Sequence, residues 1–453
     1  KLRRRNYLRI AIVDDGVSLD LCRNKSFVVE ENKVVPVDVS FSPKSSHGTS
    51  CAQIVCSNNP NHEIYSISIC KGNVYGPEKY LETSLNWCME HRIDIVNLSL
   101  GEVGFFDNNR INDLCYKLYA NGTYIVAAVS NSGLFTSPAH LPYVIGVDSI
   151  WGRLTNFGAW IKSDICRRGL HHLPNHLLPY SCNSFACAQA VRNFSRCSSK
   201  MKIKELLFKE SRYSNMFIAD FTMLKNLYVL DFGDNWHLDG SSHIFKHYNE
   251  AIDYFYSKPD VDCISLAVLP GCATSDVMSI IQKITRRLFL LIWCYKITPN
   301  EVSNFCRHNY IRLWDERSQP NNILCKGKNT LLDIDIPIIT VPELQSALSL
   351  AFDLKTYFEM NGYHILVFSP IKRCYLNGAF YFSEINTIKK ITDELNPDIV
   401  IIQKDNANEL GRKIRSDIDC VYCGANSADS CYGKRILIPS DSKMLYERIV
   451  TYL

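Results

Sequence analysis

Short apolar runs recur through the first third of the chain. YLRIAIVDD (7–15), EIYSISIC (63–70), IDIVNLSLG (93–101), TYIVAAVS (123–130) and YVIGVDSI (143–150) are apolar on consecutive positions, not on alternating ones. Strands read this way when both faces of their sheet are covered, as in parallel sheets. Between them lie helix-length pieces such as HGTSCAQIVCS (47–57) and YLETSLNWCMEH (80–91). Strands alternating with helices predict an α/β fold: a central parallel sheet flanked by helices, with polar functional groups gathered at the carboxyl ends of the strands.

From Ser195 to Asn215 the pattern gives way to Ser, Lys and Arg (SRCSSKMKIKELLFKESRYSN). Strand-like runs then resume with LYVLDF (227–232), CISLAVLP (263–270), IPIITV (336–341), HILVFS (364–369), DIVIIQ (398–403) and RILIP (435–439), interleaved with helical patterns. The expected organisation is a first domain over 1–200, a linker over 201–214, and a second α/β (Rossmann-like) domain over 215–453. The apolar stretch at Leu288–Tyr295 ends at Lys296. It reads as a buried strand or helix, well short of the ~18 residues a membrane span needs.

Composition narrows the class. The 453 residues are 46% hydrophobic and 21% charged, with a formal net charge of +4, so no nucleic acid or other acidic partner is implied. Lys1, Arg3, Arg4 and Arg5 read as a solvated end. The nineteen cysteines are scattered, several within strand-like or helix-like runs, and are expected to be reduced thiols of a cytoplasmic protein. No secretory signal is visible, and a first residue of Lys implies a preceding segment removed or left out. Residues 215–453 contain no GxxxxGK[ST] and no GxGxxG, so they offer no phosphate-cradling loop.

Candidate chemistry lies in the first domain: Asp14 in IVDDGV, His47 in HGTS, Asn131 in VSNSG and Ser184 in NSFACA. Taken singly, each has a plain structural reading. DDG is a turn, a His before a helix is a cap, and a Ser near a helix start needs no further role. Taken in order they supply a carboxylate, an imidazole, an amide donor and a hydroxyl. Those are the parts of nucleophilic acyl transfer: a group to orient the base, the base, an oxyanion donor and the nucleophile.

The same segments resemble the subtilisin-like serine protease (subtilase) family over roughly residues 7–195. IAIVDDGV is similar to the family's strand ending in Asp-x-Gly, with Asp15 in the variable middle position. HGTSCAQIV is similar to its His-Gly-Thr helix start, and Gly48 there lets the backbone pass close. IVNLSLG matches the substrate-binding strand and TYIVAAVSNSG the strand that brings in the oxyanion amide. The resemblance implies Asp14 as orienting acid, His47 as general base, Ser184 as nucleophile and Asn131 as oxyanion donor. Ser99, Leu100 and Gly101 would line the cleft and pair with substrate backbone, and Ser130 would narrow the pocket. Where the family shows Gly-Thr-Ser-Met-Ala, this chain has Cys182-Asn183-Ser184-Phe185-Ala186; Asn183 there reads as a helix cap. The intervals after His47 look short for the family, so some surface and calcium loops are expected to be absent. No metal and no cofactor are expected.

The function implied is a serine endopeptidase working through an acyl-enzyme, with hydrolysis and transpeptidation both open. A peptide or precursor protein would be the substrate, as for a bacterial peptide-maturation protease that removes a leader, with a second maturation protein as a further partner and no membrane. The Cys182 and Phe185 departures favour a rival: a protease-fold protein of low or no activity that binds peptides as a scaffold component. A third reading is activity restrained by a partner or propeptide. Short pieces after residue 335 faintly resemble an α/β protein of bacterial peptide-maturation systems. There, Cys420, Cys423 and Cys431 read as inert thiols, lacking a fourth ligand at zinc-site spacing. Asp231 and Asp234, with His237 and His243, read as the polar exit of a buried strand.

Overall fold

The strand Arg9–Asp14 runs through the middle of an eight-stranded sheet, and its neighbours decide where chemistry can occur. In the computed structural model the described residues are 7–22, 25–37, 46–57, 61–71, 74–131, 135–149, 161–163, 182–195, 221–233, 243–294, 297–315, 332–333, 336–341, 345–371, 374–382, 385–403, 414–415, 420–423, 434–436 and 442–451. Across the sheet the order is Ile161–Ser163, Val144–Ser149, Tyr124–Ala128, Ile95–Leu98, Arg9–Asp14, Glu63–Ser68, Ser26–Glu30 and Lys33–Pro36. All pairings are parallel except the last, where Lys33–Pro36 folds back on Ser26–Glu30.

The continuous apolar runs occupy the interior strands. Ile10, Ala11, Ile12 and Val13 are all fully buried, alternating between two cores on opposite faces. The helices His47–Cys56 and Asn183–Ser195 cover one face; Glu78–Glu90 and Asn109–Ala120 cover the other. The chain leaves Arg9–Asp14 toward one edge and returns to place Ile95–Leu98 on its other side. That reversal is the switch point of an open α/β sheet, where a crevice opens beyond the carboxyl ends of the strands. The terminal hairpin carries no Asn-Gly or Asp-Gly signal. Its turn places Glu31 in the left-handed region at φ 52°, which hid it from the sequence reading.

Among the described residues after 220 are two larger all-parallel sheets and a two-stranded parallel pair, Leu332–Asp333 with Ile414–Arg415. Five strands run His243–Phe245, Leu227–Leu230, Ile264–Val268, Leu288–Trp293, Arg312–Trp314. Six more run Phe380–Tyr381, Ile365–Ser369, Ile399–Gln403, Ile338–Val341, Cys420–Cys423, Lys434–Ile436. The Leu288 run is thus a strand, buried at all six positions. Residues 201–214 lie outside the described residues, as do Asp234, His237 and Cys431.

The five-stranded unit docks on the first through Phe289, whose ring meets Tyr119 and Tyr143 at centroid distances of 5.1 and 4.9 Å. Arg312 stacks its guanidinium 4.4 Å from the Phe289 centroid and donates to the Pro142 carbonyl at 3.0 Å. Asp231 is buried and holds Lys246 Nζ at 2.7 Å, so the polar end of that strand closes on an ion pair. No described helix is long and apolar enough to cross a membrane.

Candidate active site

Asp14 is the last residue of the central strand and is fully buried. Its carboxylate reaches His47 Nδ1 at 2.9 and 3.1 Å and accepts the Asp15 backbone N–H at 2.9 Å. The next turn is made by Gly16 at φ 114°, a conformation other residues adopt only with strain. His47 opens the helix His47–Cys56, whose N-cap is Ser46, accepting from the Thr49 N–H at 3.0 Å. Asp15, the variable position of the motif, does what the sequence did not reveal. Its two carboxylate oxygens accept the backbone N–H groups of His47 and Gly48 at 2.9 and 2.8 Å, a charged cap at the positive end of the helix. A Cβ on Gly48 would lie 2.6 Å from the Gly16 carbonyl oxygen, so only glycine permits this approach.

Ser184 sits in the first turn of the helix Asn183–Ser195. Its hydroxyl donates to the Ser99 carbonyl at 2.9 Å. The imidazole of His47 lies against the same turn: Phe185 stacks on it at a centroid distance of 5.5 Å, and the Cys182 side chain hydrogen-bonds to it. Burial pulls the His47 pKa down, while the hydrogen bonds to Asp14 and then Cys182 push it up, and the upward pushes win, raising it to about 10. Asp14, His47 and the segment around Ser184 are therefore brought together. In this arrangement the hydroxyl faces Ser99 and the imidazole faces Cys182.

Asn131 stands just beyond the Tyr124–Ala128 strand and is exposed. Its Oδ1 accepts the Asn183 backbone N–H at 2.9 Å, which leaves its amide N–H groups as the donor end. Asn183, read from the sequence as a cap, is instead the first residue of the helix. It is buried, and its side-chain amide donates to the carbonyls of Val129 and Ser130 at 3.0 and 3.1 Å. These bonds tie the strand end that carries Asn131 to the helix start that carries Ser184. Behind them, Asn97 donates to Ser99 Oγ at 2.7 Å, and Ser99 Oγ also meets Cys51 Sγ at 3.2 Å. A lone Asn inside IVNLSLG was the available signal for that support.

A cleft of about 740 Å³ runs across the strand ends, lined by Ser184, Asn131, Ser130, Ser99, Leu100 and Gly101 among others. All four residues expected to contact substrate are on its wall. Glu78, Glu102 and Asp107 make the wall acidic. Burial raises the Glu78 pKa, and the Glu102, Glu82 and Asp107 charges add to it.

Among the described residues, Asp14, His47 and Cys51 form the group with metal-ligating atoms close together, all within 4.8 Å. Burial, with the Asp14 charge adding to it, holds the Cys51 thiol well above the usual range. The three side chains are engaged with protein partners, Asp14 with His47 Nδ1 at 2.9 Å and Cys51 Sγ with Ser99 Oγ at 3.2 Å. The described cysteines, Cys22, Cys51, Cys182 and Cys187 among them, are free thiols.

Residues 6–210 match the subtilase family. The minor extracellular protease Epr of Bacillus subtilis is 27% identical over 135 residues, which are 28% of this chain and 20% of that protein. Subtilisin DY of Bacillus licheniformis is 25% identical over 152 residues, 32% of this chain and 54% of that protein. The chain thus covers 20% of one of these curated relatives and 54% of the other. Among solved structures, the patellamide maturation protease PatA overlaps 42% of this chain and 76% of its own, at 19% identity and a TM-score of 0.31. The epidermin leader peptide processing serine protease of Staphylococcus aureus overlaps 46% and 67%, at 13% identity and a TM-score of 0.34.

Proposed function

From the match of residues 6–210 to the subtilase family, we propose that this chain is a serine endopeptidase in which Asp14, His47 and Ser184 form the catalytic triad and Asn131 the oxyanion donor. The observation that carries it is the buried Asp14 carboxylate on His47 Nδ1, with the imidazole lying against the helix turn that presents Ser184. A carboxylate on Nδ1 fixes the tautomer that leaves Nε2 to take a proton.

In the mechanism that follows, the Ser184 hydroxyl rotates from the Ser99 carbonyl to the imidazole, and the Cys182 thiol gives way to it. Hydrogen bonds of this kind often close only when substrate is bound. The vacated Ser99 carbonyl then accepts a substrate backbone N–H, as an added strand would supply. Ser184 Oγ attacks the scissile carbonyl and His47 takes its proton. The amide of Asn131 and the Ser184 N–H hold the oxyanion, and His47 returns the proton to the leaving amine. Water attacks the acyl-enzyme by the same route, releasing the acid and restoring Ser184.

We read the substrate as a peptide or precursor protein, with residues 215–453 as a recognising or scaffolding part. A fluorophosphonate probe followed by peptide mapping tests the triad: the adduct is expected on Ser184 alone. An adduct elsewhere, or none, rejects Ser184 as nucleophile.

Cys182 is a second point of test. His47 serves as a base only when neutral, at pH values above its pKa, and that pKa is raised to about 10 with Cys182 among the causes. Cys182→Gly removes one upward push, so the acidic limb of the kcat/KM profile moves to lower pH. Turnover at pH 7 then rises about tenfold for each unit the pKa falls. A limb that stays in place refutes a restraining role for the thiol.

The scaffold reading keeps one supporting observation: the Ser184 hydroxyl is engaged by the Ser99 carbonyl. Complete absence of the fluorophosphonate adduct, together with binding of peptides, is the outcome that selects it.

A further inference from the structure

The cleft has a wall that the six-stranded unit fixes from outside. Phe106, Asp107 and Asn108 line the cleft beside Ser99, Asn131 and Ser184. Asn108 makes the rim one piece, since its side-chain amide donates to the carbonyls of Gly104, Phe105 and Phe106 at 3.3, 2.8 and 3.1 Å. Asp107 sits in the left-handed region at φ 61°. Asp accepts that conformation more readily than most residues, yet it needs neighbours to hold it.

Those neighbours come from far along the chain, the Asp107–His364 pair being separated by 257 residues. The His364 ring lies flat on Phe106, centroids 4.4 Å apart and planes 2° from parallel. Its Nε2 meets the Asp107 carboxylate at 3.1 Å. His364 is itself anchored at the start of two strands of the six-stranded sheet. Its N–H donates to the Asp398 carboxylate at 2.7 Å, and its carbonyl accepts the Asp398 and Ile399 N–H groups at 2.8 and 3.3 Å. Beneath this pair, buried Phe105 meets Phe135 edge-on at 5.1 Å and Phe380 at 6.1 Å. Phe135 lies four positions beyond Asn131, and Phe380 belongs to the edge strand of the six-stranded sheet.

We propose that His364 is a positioning residue for substrate binding, through which the six-stranded unit sets the Gly104–Asn108 wall of the cleft. The inference rests on the assignment of the cleft to a peptidase and gives the carboxyl-terminal part a role in that site. His364 touches neither the triad nor the oxyanion donor; it acts only through Phe106 and Asp107. Both partners of the ion pair are exposed, with side-chain accessibilities of 41% and 85%, so the flat stack carries more of the hold than the charge. An exposed stack and an exposed ion pair together make an effect of about three- to tenfold.

The test uses the full chain and two probes of different reach. A small fluorophosphonate reports on the triad alone, while fluorescein-labelled casein must lie along the wall. His364→Ala is expected to raise KM for casein about fivefold, within the range set by the stack and the pair. Both kcat and the rate of fluorophosphonate labelling stay near wild type. His364→Phe, which keeps the stack, recovers part of the loss, and Phe380→Ala, on a separate element, raises KM in the same way. An unchanged KM overturns the proposal. So does a parallel fall in labelling rate and casein turnover, which marks a general structural defect. If the wild type neither labels nor cleaves, the triad assignment has failed. Anisotropy of the labelled casein then decides whether His364 sets the wall, since equal affinity for wild type and His364→Ala rejects it.

Discussion

Replacing Ser184 by alanine is expected to lower kcat by about 10⁶-fold while leaving KM within a few-fold, the magnitude being that of nucleophile loss in subtilisin. Geometry is the reason. The helix Asn183–Ser195 presents one hydroxyl at the cleft floor, and Asn131 is tied to the same turn through the Asn183 N–H. Binding depends on the cleft walls, so substrate affinity survives the loss of one oxygen. Hydrolysis of a fluorogenic peptide under saturating conditions measures the effect. Because Cys182 also bonds to His47, residual turnover should be assayed with the thiol alkylated and unmodified. A kcat within about tenfold of wild type would sink the assignment of Ser184.

Exchange of Asp14 for asparagine comes next in size, with an expected fall of about 10⁴-fold in kcat at neutral pH, as in serine proteases where the orienting acid was changed. Asp14 is buried and holds His47 Nδ1 from both of its oxygens. An amide of the same shape offers N–H where an acceptor is needed. The ring then turns its lone pair toward Nδ1 and carries its proton on Nε2, where it is no base toward Ser184. The Asp15 N–H still finds the amide oxygen, so the fold is retained. The pH profile of kcat and a circular dichroism spectrum separate the two consequences. Loss of activity with an intact spectrum is the expected result; unimpaired turnover would show that the imidazole needs no orienting charge here.

The sheet was legible because its strands are apolar at successive positions, and short runs of that kind between helices pack as buried strands. The placement of Asp14, His47 and Asn131 was legible because each closes such a run or opens a helix at a carboxyl end. What stayed hidden depends on contacts between distant segments. Asp15 looked like filler, since a carboxylate that caps a helix 32 residues later leaves no local trace. Cys182 stood out as a departure, but its bond to the imidazole comes from tertiary placement. His364 read only as the first residue of a strand, HILVFS. The two larger sheets after residue 220 have the same strand chemistry, so periodicity registered their α/β character without dividing them.

The tandem carboxylates Asp14 and Asp15 join the sheet to the helix that bears the imidazole, one through the ring and the other through the two leading amides. The Asp14 carboxylate and the His47 imidazole therefore travel as a single rigid piece, whatever the polypeptide between residues 16 and 46 does. Lengthening that connection costs only about 0.6 kcal/mol per doubling in closure entropy and leaves the ring's setting untouched. Natural variation there can reshape the neighbouring surface while the carboxylate–imidazole geometry stays the same.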